Sequence, residues 1–374
     1  MKDLSSMTVT GWEAFFEEEL AKREEKGLYR SLHHSSGLTD FFSNDYLGFA
    51  KKNTELPESF MASGSGGARL ISGNYPLLEE TEKVLADFHD SEEALIFNSG
   101  YTANLGFFSA FTQRDITILY DELSHASIRD GIRLSLAKSF SFRHNDVNDL
   151  EEKLKRAEGK IIIAVESVYS MDGDFAPLKE IVRLAEKYNA FLFADEAHAG
   201  GVFGEKGEGR VVEEGWQKAV HARLITFGKA WGLHGAVILC SSWMKKFLVN
   251  FSRPFIYTTA LPPIAVFHIL KRTGEIKNAS SQRELLKSNI RYFRENISGM
   301  SGFLLSSSPV QSCLIKGNIA AKKKAEQLRK KGLDVKAILS PTVPEGKERI
   351  RICLHSFNTK NEIDLLLNSV KENE

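Results

Sequence analysis

Short apolar runs recur along the chain, and most are followed by a stretch with helical periodicity. ALIFNSG (94–100) precedes YTANLGFFSAF, and DITILY (115–120) precedes DELSHASIRDGIRLSLA. KIIIAVES (160–167) precedes the helical LKEIVRLAEKYN (178–189). AFLFADEAH (190–198), ARLITFGK (222–229) and GAVILCSS (235–242) complete the series. Continuous β-rich runs without polar alternation predict strands buried on both faces. Their alternation with amphipathic helices predicts an α/β fold with a mostly parallel central sheet. Ligands of such sheets sit beyond the carboxyl ends of the strands. Polar punctuation falls there: Ser99-Gly100, Ser167 to Ser170, Asp195 and Lys229.

The pattern changes after IYTTALPP (256–263). A long helical stretch rich in Lys and Glu follows, then GFLLSSSPVQSCLIKGN (302–318), AAKKKAEQLRKKGL and ERIRICLHS (348–356). This predicts a smaller α+β C-terminal lobe. Three units are expected: an N-terminal arm and helix (1–42), a large domain (43–276) and a small C-terminal domain (277–374). The basic run Lys322 to Lys331 reads as a solvated helix face. The first thirty residues lack the apolar core of a signal peptide and read as an acidic amphipathic helix. No run approaches membrane-spanning length, so a soluble, cytoplasmic protein is expected.

Composition narrows the function. A length of 374 residues suggests more than one lobe. Forty-nine basic and 49 acidic residues cancel, which argues against nucleic acid as a general partner. Cys240, Cys313 and Cys353 are odd in number and share no close spacing, and Cys240 and Cys353 sit in apolar runs. They read as buried free thiols in a reducing compartment rather than a disulfide frame or metal site.

Five motifs carry candidate chemistry. FADEAHAGG places Asp195 at a strand end. Its DEAH tetrapeptide suggests a helicase-type nucleotide site, which needs a phosphate loop. The Gly-Lys pairs at Gly159, Gly228 and Gly346 are followed by Ile161, Ala230 and Glu348, so none supplies the magnesium hydroxyl. Asp195 then reads either as a cap of the following turn or as a partner for a heterocyclic nitrogen. GSGGARLISGNYP (64–76) departs from a dinucleotide fingerprint at Arg69 and reads as backbone passing close to a ligand. NSGYTANLG (98–106) puts Ser99, Gly100, Tyr101 and Thr102 at a predicted helix start, suited to a phosphate dianion. DELSHAS (121–127) puts His125 just past a strand. A lysine in LITFGKAWGL (224–233) completes the set. Lysine, aspartate, phosphate cradle and flat histidine are the parts that pyridoxal phosphate needs.

The chain resembles the α-oxoamine synthases, pyridoxal-phosphate enzymes of the aspartate-aminotransferase-like fold type I. The matching motifs are SNDYLG (43–48), GSGGARLISG (64–73), SHAS (124–127), HNDVNDLE (144–151), SVYSMDGDFAPL (167–178), DEAH (195–198), TFGKA (226–230), IYTTALPP (256–263) and PTVPEGKERIRI (341–352). Within the family it looks most like the member of biotin synthesis that joins L-alanine to a pimeloyl thioester. Sister enzymes that make 5-aminolevulinate, 2-amino-3-ketobutyrate or a long-chain ketosphinganine are the alternatives, with a non-catalytic dimer partner beside them.

The resemblance implies that Lys229 forms the Schiff base, Asp195 pairs with the pyridine nitrogen and His198 with the ring hydroxyl. His125 would stack on the ring. Ser99, Gly100 and Tyr101, with Ser170 and Thr226, would line cofactor and phosphate. Thr258 and Thr259 would reach the partner's phosphate across a homodimer interface. Arg351, assisted by Asn44, would clamp the amino-acid carboxylate, and Thr342 would line the acyl channel. Arg30 is the candidate for the arginine of the N-terminal arm. The acyl group would arrive on coenzyme A or on an acyl carrier protein, and no metal is implied. Ala199, Gly200, Trp231 and His234 depart from the usual pattern, which leaves acyl recognition the open point.

Overall fold

The computed structural model describes residues 11–32, 34–35, 37–52 and 63–371. Strand β1 (Thr39–Asp40) lies in the arm. Seven strands then form the large sheet: β2 (Glu93–Phe97), β3 (Ile116–Asp121), β4 (Lys138–Phe142), β5 (Lys160–Glu166), β6 (Phe191–Asp195), β7 (Ala222–Thr226) and β8 (Ala236–Cys240). Their order is β2-β8-β7-β6-β5-β3-β4. Only β8 runs antiparallel to its neighbours; the other adjacent pairs are parallel. The expected α/β architecture is therefore present.

Burial explains why these strands show no polar alternation. Ile118, Ile162, Ala164 and Phe193 face one apolar cluster, with Phe107 and Phe108 of a helix packed on them. Their immediate neighbours Leu119, Ile163, Val165 and Leu192 face a second cluster, with Ile181 and Val182 of helix Leu178–Lys187. Successive side chains point to opposite faces, and both faces are covered. β4 escapes the sequence pattern because it is an edge strand with its first four residues exposed.

The C-terminal part adds β9 (Phe303–Leu304), β10 (Val310–Leu314), β11 (Leu333–Asp334), β12 (Lys336–Ile338) and β13 (Arg349–Cys353). A four-stranded antiparallel sheet runs in the order β12-β13-β10-β9. β1 pairs with β11, so the arm is tied to this part of the chain.

Two expectations need correction. Helix Gly11–Glu25 buries none of its residues, and its apolar stripe of Trp12, Phe15, Phe16 and Leu20 is broken by Glu19 and Arg23. Residues 1–10 of that stretch lie outside the described residues. The basic run is not wholly solvated either. Lys324 is buried and its ammonium donates to the carbonyls of Ser369 and Val370, where it neutralises a helix C-terminus. Cys240, Cys313 and Cys353 are all buried, as the apolar runs around Cys240 and Cys353 predict. Among the described residues no helix is long and apolar enough to cross a membrane.

Candidate active site

Asp195 ends β6 and is only 4% exposed. One carboxylate oxygen accepts the Ala197 N–H at 2.9 Å, so the capping role exists. The other accepts from Asn104 Nδ2 at 2.7 Å, and Asn104 also donates to Ser127 Oγ at 3.0 Å. Asn104 is buried on helix Gly100–Ser109 and was not singled out from the sequence. Its signal was only its place one turn into the NSGYTANLG helix. The neighbouring Glu196 faces the core instead, accepting the Val211 N–H at 3.0 Å beside Arg223 at 3.9 Å. DEAH here is one site carboxylate and one buried structural anchor.

Lys229 follows β7 and is partly buried. Burial pulls its ammonium down to about 8, against the Asp195 and Glu166 carboxylates, which hold it up. Glu166, at the end of β5, is a second residue that sequence reasoning passed over. It is buried, it accepts the His125 N–H at 2.6 Å, and burial with the Asp195 charge pushes it up to about 8. His125 caps helix Ala126–Leu134 through Ser127, whose hydroxyl lies 2.7 Å from Nδ1. Burial lowers the affinity of His125 for a proton, against the Asp195 charge. Burial likewise pushes His198 well below its ordinary range, helped by the Lys229 and Arg351 charges.

A second group converges from the arm and β13. Tyr46 OH lies 2.7 Å from His198 Nδ1 and donates to Asn44 Oδ1 at 3.1 Å. Asn44 Oδ1 also accepts from Arg351 Nη2 at 2.8 Å, and Arg351 Nε–H donates to the Ser170 carbonyl at 2.8 Å. Arg351 is 7% exposed, so it is no solvent-facing strand arginine. Two anchored nitrogens fix its plane and leave further N–H groups for a carboxylate.

The helix start is built as its sequence predicts. Ser99 and Thr102 form a reciprocal capping box. Gly100 lies against Thr226, whose Oγ1 would stand 3.4 Å from a Cβ added there, so the helix start and the strand end border one polar niche. That niche, with free N–H groups of the first helical turn, fits a phosphate. Asn98 Nδ2 joins it to Thr258 Oγ1 at 3.5 Å and to the Thr259 carbonyl at 3.0 Å. Tyr101 is 45% exposed and its hydroxyl donates to Asp130. Arg30 and Thr342 are exposed and stand outside this network.

The departing residues bear on packing. Trp231 is fully buried against Phe227, Phe88 and His89. Ala199 is fully buried, and a Cβ at Gly200 would come within 2.8 Å of Ile225. His234 is exposed. Among the described residues no cluster suits a metal ion.

Residues 36–370 match the family described as aminotransferase class I and II. A putative 8-amino-7-oxononanoate synthase of Geobacillus kaustophilus is 37% identical, covering 99% of this chain and 97% of that protein. The solved 8-amino-7-oxononanoate synthase of Francisella tularensis is 27% identical with a TM-score of 0.75, over 89% of this chain and 96% of its own. A serine palmitoyltransferase solved with PLP is 27% identical with a TM-score of 0.86, over 97% of both chains. The chain belongs to the α-oxoamine synthases, PLP-dependent acyltransferases of fold type I within the class I and II aminotransferase family.

Proposed function

We propose that this protein condenses L-alanine with a pimeloyl thioester, on coenzyme A or an acyl carrier protein, to give 8-amino-7-oxononanoate for biotin synthesis. Carbon dioxide and free thiol are the other products, and a homodimer with shared active sites is the working unit. The observation that carries this reading is full-length likeness, at 37% identity, to chains named for that product. Bound pyridoxal phosphate supplies an electron sink for negative charge at the amino acid's α-carbon.

The chain's residues then divide the work. Lys229 would hold the cofactor covalently and, once the amino acid has taken its place, would accept the α-proton at Nζ. Asp195 keeps the pyridine nitrogen protonated, and Asn104 orients Asp195. His125 would stack on the ring, and His198, whose Nδ1 is set by the Tyr46 hydroxyl, would meet the ring hydroxyl. Ser99, Gly100, Tyr101 and Thr226 receive the phosphate, with Thr258 and Thr259 serving the partner's. Ser170 borders the ring and Arg351 grips the carboxylate beside Asn44. Arg30 and Thr342 serve the acyl substrate. The new carbon–carbon bond forms at the thioester carbonyl as the thiolate leaves, the amino-acid carboxylate departs as carbon dioxide, and a proton returns to the α-carbon.

A second reading, serine with a longer acyl thioester, is favoured by shape, since the serine palmitoyltransferase superposes with the higher TM-score. Thiol release measured over alanine, glycine and serine against pimeloyl, acetyl, succinyl and palmitoyl thioesters separates them. Alanine with pimeloyl should be fastest by tenfold or more. A serine–palmitoyl optimum would replace the first reading.

Two further outcomes are expected. Arg351→Lys should keep cofactor absorbance but raise half-saturating alanine by roughly tenfold, because an ammonium cannot reproduce the guanidinium fork. Superimposable alanine titrations would remove Arg351 from the site. Cofactor capture by the apoprotein should follow the neutral fraction of Lys229. Its rate should rise about tenfold per pH unit below about 8 and level above it, as stopped-flow absorbance would record. A rise continuing toward pH 10 would mean that the site does not depress the lysine.

A further inference from the structure

The loop of residues 170–174, SMDGD, leaves the large sheet after β5, yet the second sheet holds it almost residue by residue. The Ser170 carbonyl accepts from Arg351 Nε–H at 2.8 Å, and the Met171 carbonyl from Ser312 Oγ at 2.6 Å. Asp172 pairs with Arg349, both side chains being mostly buried. The Gly173 carbonyl accepts from Ser306 Oγ at 2.8 Å. Gly173 has φ +72°, and a Cβ there would stand 2.1 Å from the Val310 carbonyl oxygen, so the loop lies flush on β10. Asp174 is held from the other side by His144 Nε2 and Asn145 Nδ2, each at 2.7 Å.

The spacing of two of these contacts matches. Arg349 and Arg351 are two apart on β13 and share one face of the strand. The loop groups they hold, on Asp172 and Ser170, are also two apart. Arg349 therefore fixes the register in which Ser170 meets Arg351. We propose that Asp172 and Arg349 are positioning residues for amino-acid recognition: their ion pair seats the loop on β13 and thereby sets the Arg351 guanidinium toward the substrate carboxylate. This rests on the assignment of Arg351 to that carboxylate. Loss of the pair lets the loop shift, and Arg351 loses one of the two contacts that define its plane. The acyl substrate does not depend on that plane, and the cofactor keeps its other contacts when Ser170, one of its several neighbours, moves with the loop.

The test uses the PLP-loaded protein as wild type, Asp172→Asn, Arg349→Gln, the double variant and the milder Ser312→Ala, which removes only the Met171 hydrogen bond. Alanine is titrated against the cofactor absorbance, alongside cofactor affinity, thioester half-saturation and the unfolding midpoint. Each single charge variant should raise half-saturating alanine about tenfold, and the double variant no further than either. Ser312→Ala should raise it severalfold. Thioester half-saturation should stay put, and cofactor affinity, to which Ser170 is one contact among several, should move severalfold less than alanine does. Unmoved alanine titrations, or equal weakening of all three ligands, would overturn the proposal. Should the charge variants fail to fold, Ser312→Ala decides on the same readout. A wild type that answers to glycine or serine instead of alanine sinks the alanine reading alone, and the same comparison then runs with that amino acid. A wild type that answers to none of them overturns both.

Discussion

Lys229→Ala is expected to lower condensation by at least about a thousandfold, the upper span of a lost general base, because the covalent anchor of the cofactor goes with it. Its place makes the substitution unusually clean. The side chain is partly buried, and burial already pulls the ammonium down to about 8. The sign follows from linkage. A lysine whose pKa is lower folded than unfolded is destabilising wherever the unfolded chain holds the proton, so below about pH 8 its removal should leave the unfolding midpoint unchanged or higher. Loss of thiol release, with a preserved or raised midpoint when both proteins are compared free of cofactor, is the expected pair of results. Normal turnover would refute the Lys229 assignment, and a collapsed midpoint would make the lysine structural.

Legibility in the sequence followed the physics of each element. The strands β2, β3 and β5 to β8 were readable because burial on both faces removes polar alternation over five to seven residues. β4 was not, since an exposed edge strand with KSFSF has no apolar continuity. Lys229, Asp195 and His125 stand at strand or helix ends, where sequence position alone suggests them. Asn104 and Glu166 do not stand out that way. Each acts through a contact made by a different segment, Asn104 on Asp195 and Glu166 on the His125 backbone, and single-chain spacing carries no trace of such meetings. The alternation in RIRIC (349–353) puts Arg351 on the strand face opposite Ile350 and Ile352 but carries no sign of its burial. That burial comes from the arm and the 170–174 loop, both distant in sequence. The departures after DEAH and after Lys229 resolve only in three dimensions, as Ile225 and Phe227 close on Gly200 and Trp231.

The same distinction, between a carboxylate that shapes the turn and one that supplies charge, decides what Asp195→Asn should do. Each Asp195 oxygen already accepts one donor, the Ala197 N–H and the Asn104 amide. An introduced amide keeps one acceptor for Ala197. Its new N–H groups face Asn104, whose own Oδ1 is buried without a hydrogen-bond partner and can accept once that amide turns over. The fold should therefore survive with a midpoint within a few degrees. The charge does not survive. Asp195 is the strongest counter-charge raising both Lys229 and His125, so both should titrate lower in the variant, and cofactor capture should reach its plateau at lower pH. With no carboxylate to keep the pyridine nitrogen protonated, negative charge at the alanine α-carbon loses its sink. Exchange of the alanine α-proton in heavy water should slow by about two to three orders of magnitude, the loss typical of one preorganised electrostatic partner. Following that exchange by NMR in the loaded variant checks it without the thioester. Exchange at the wild-type rate would leave Asp195 as the cap of its turn and nothing more.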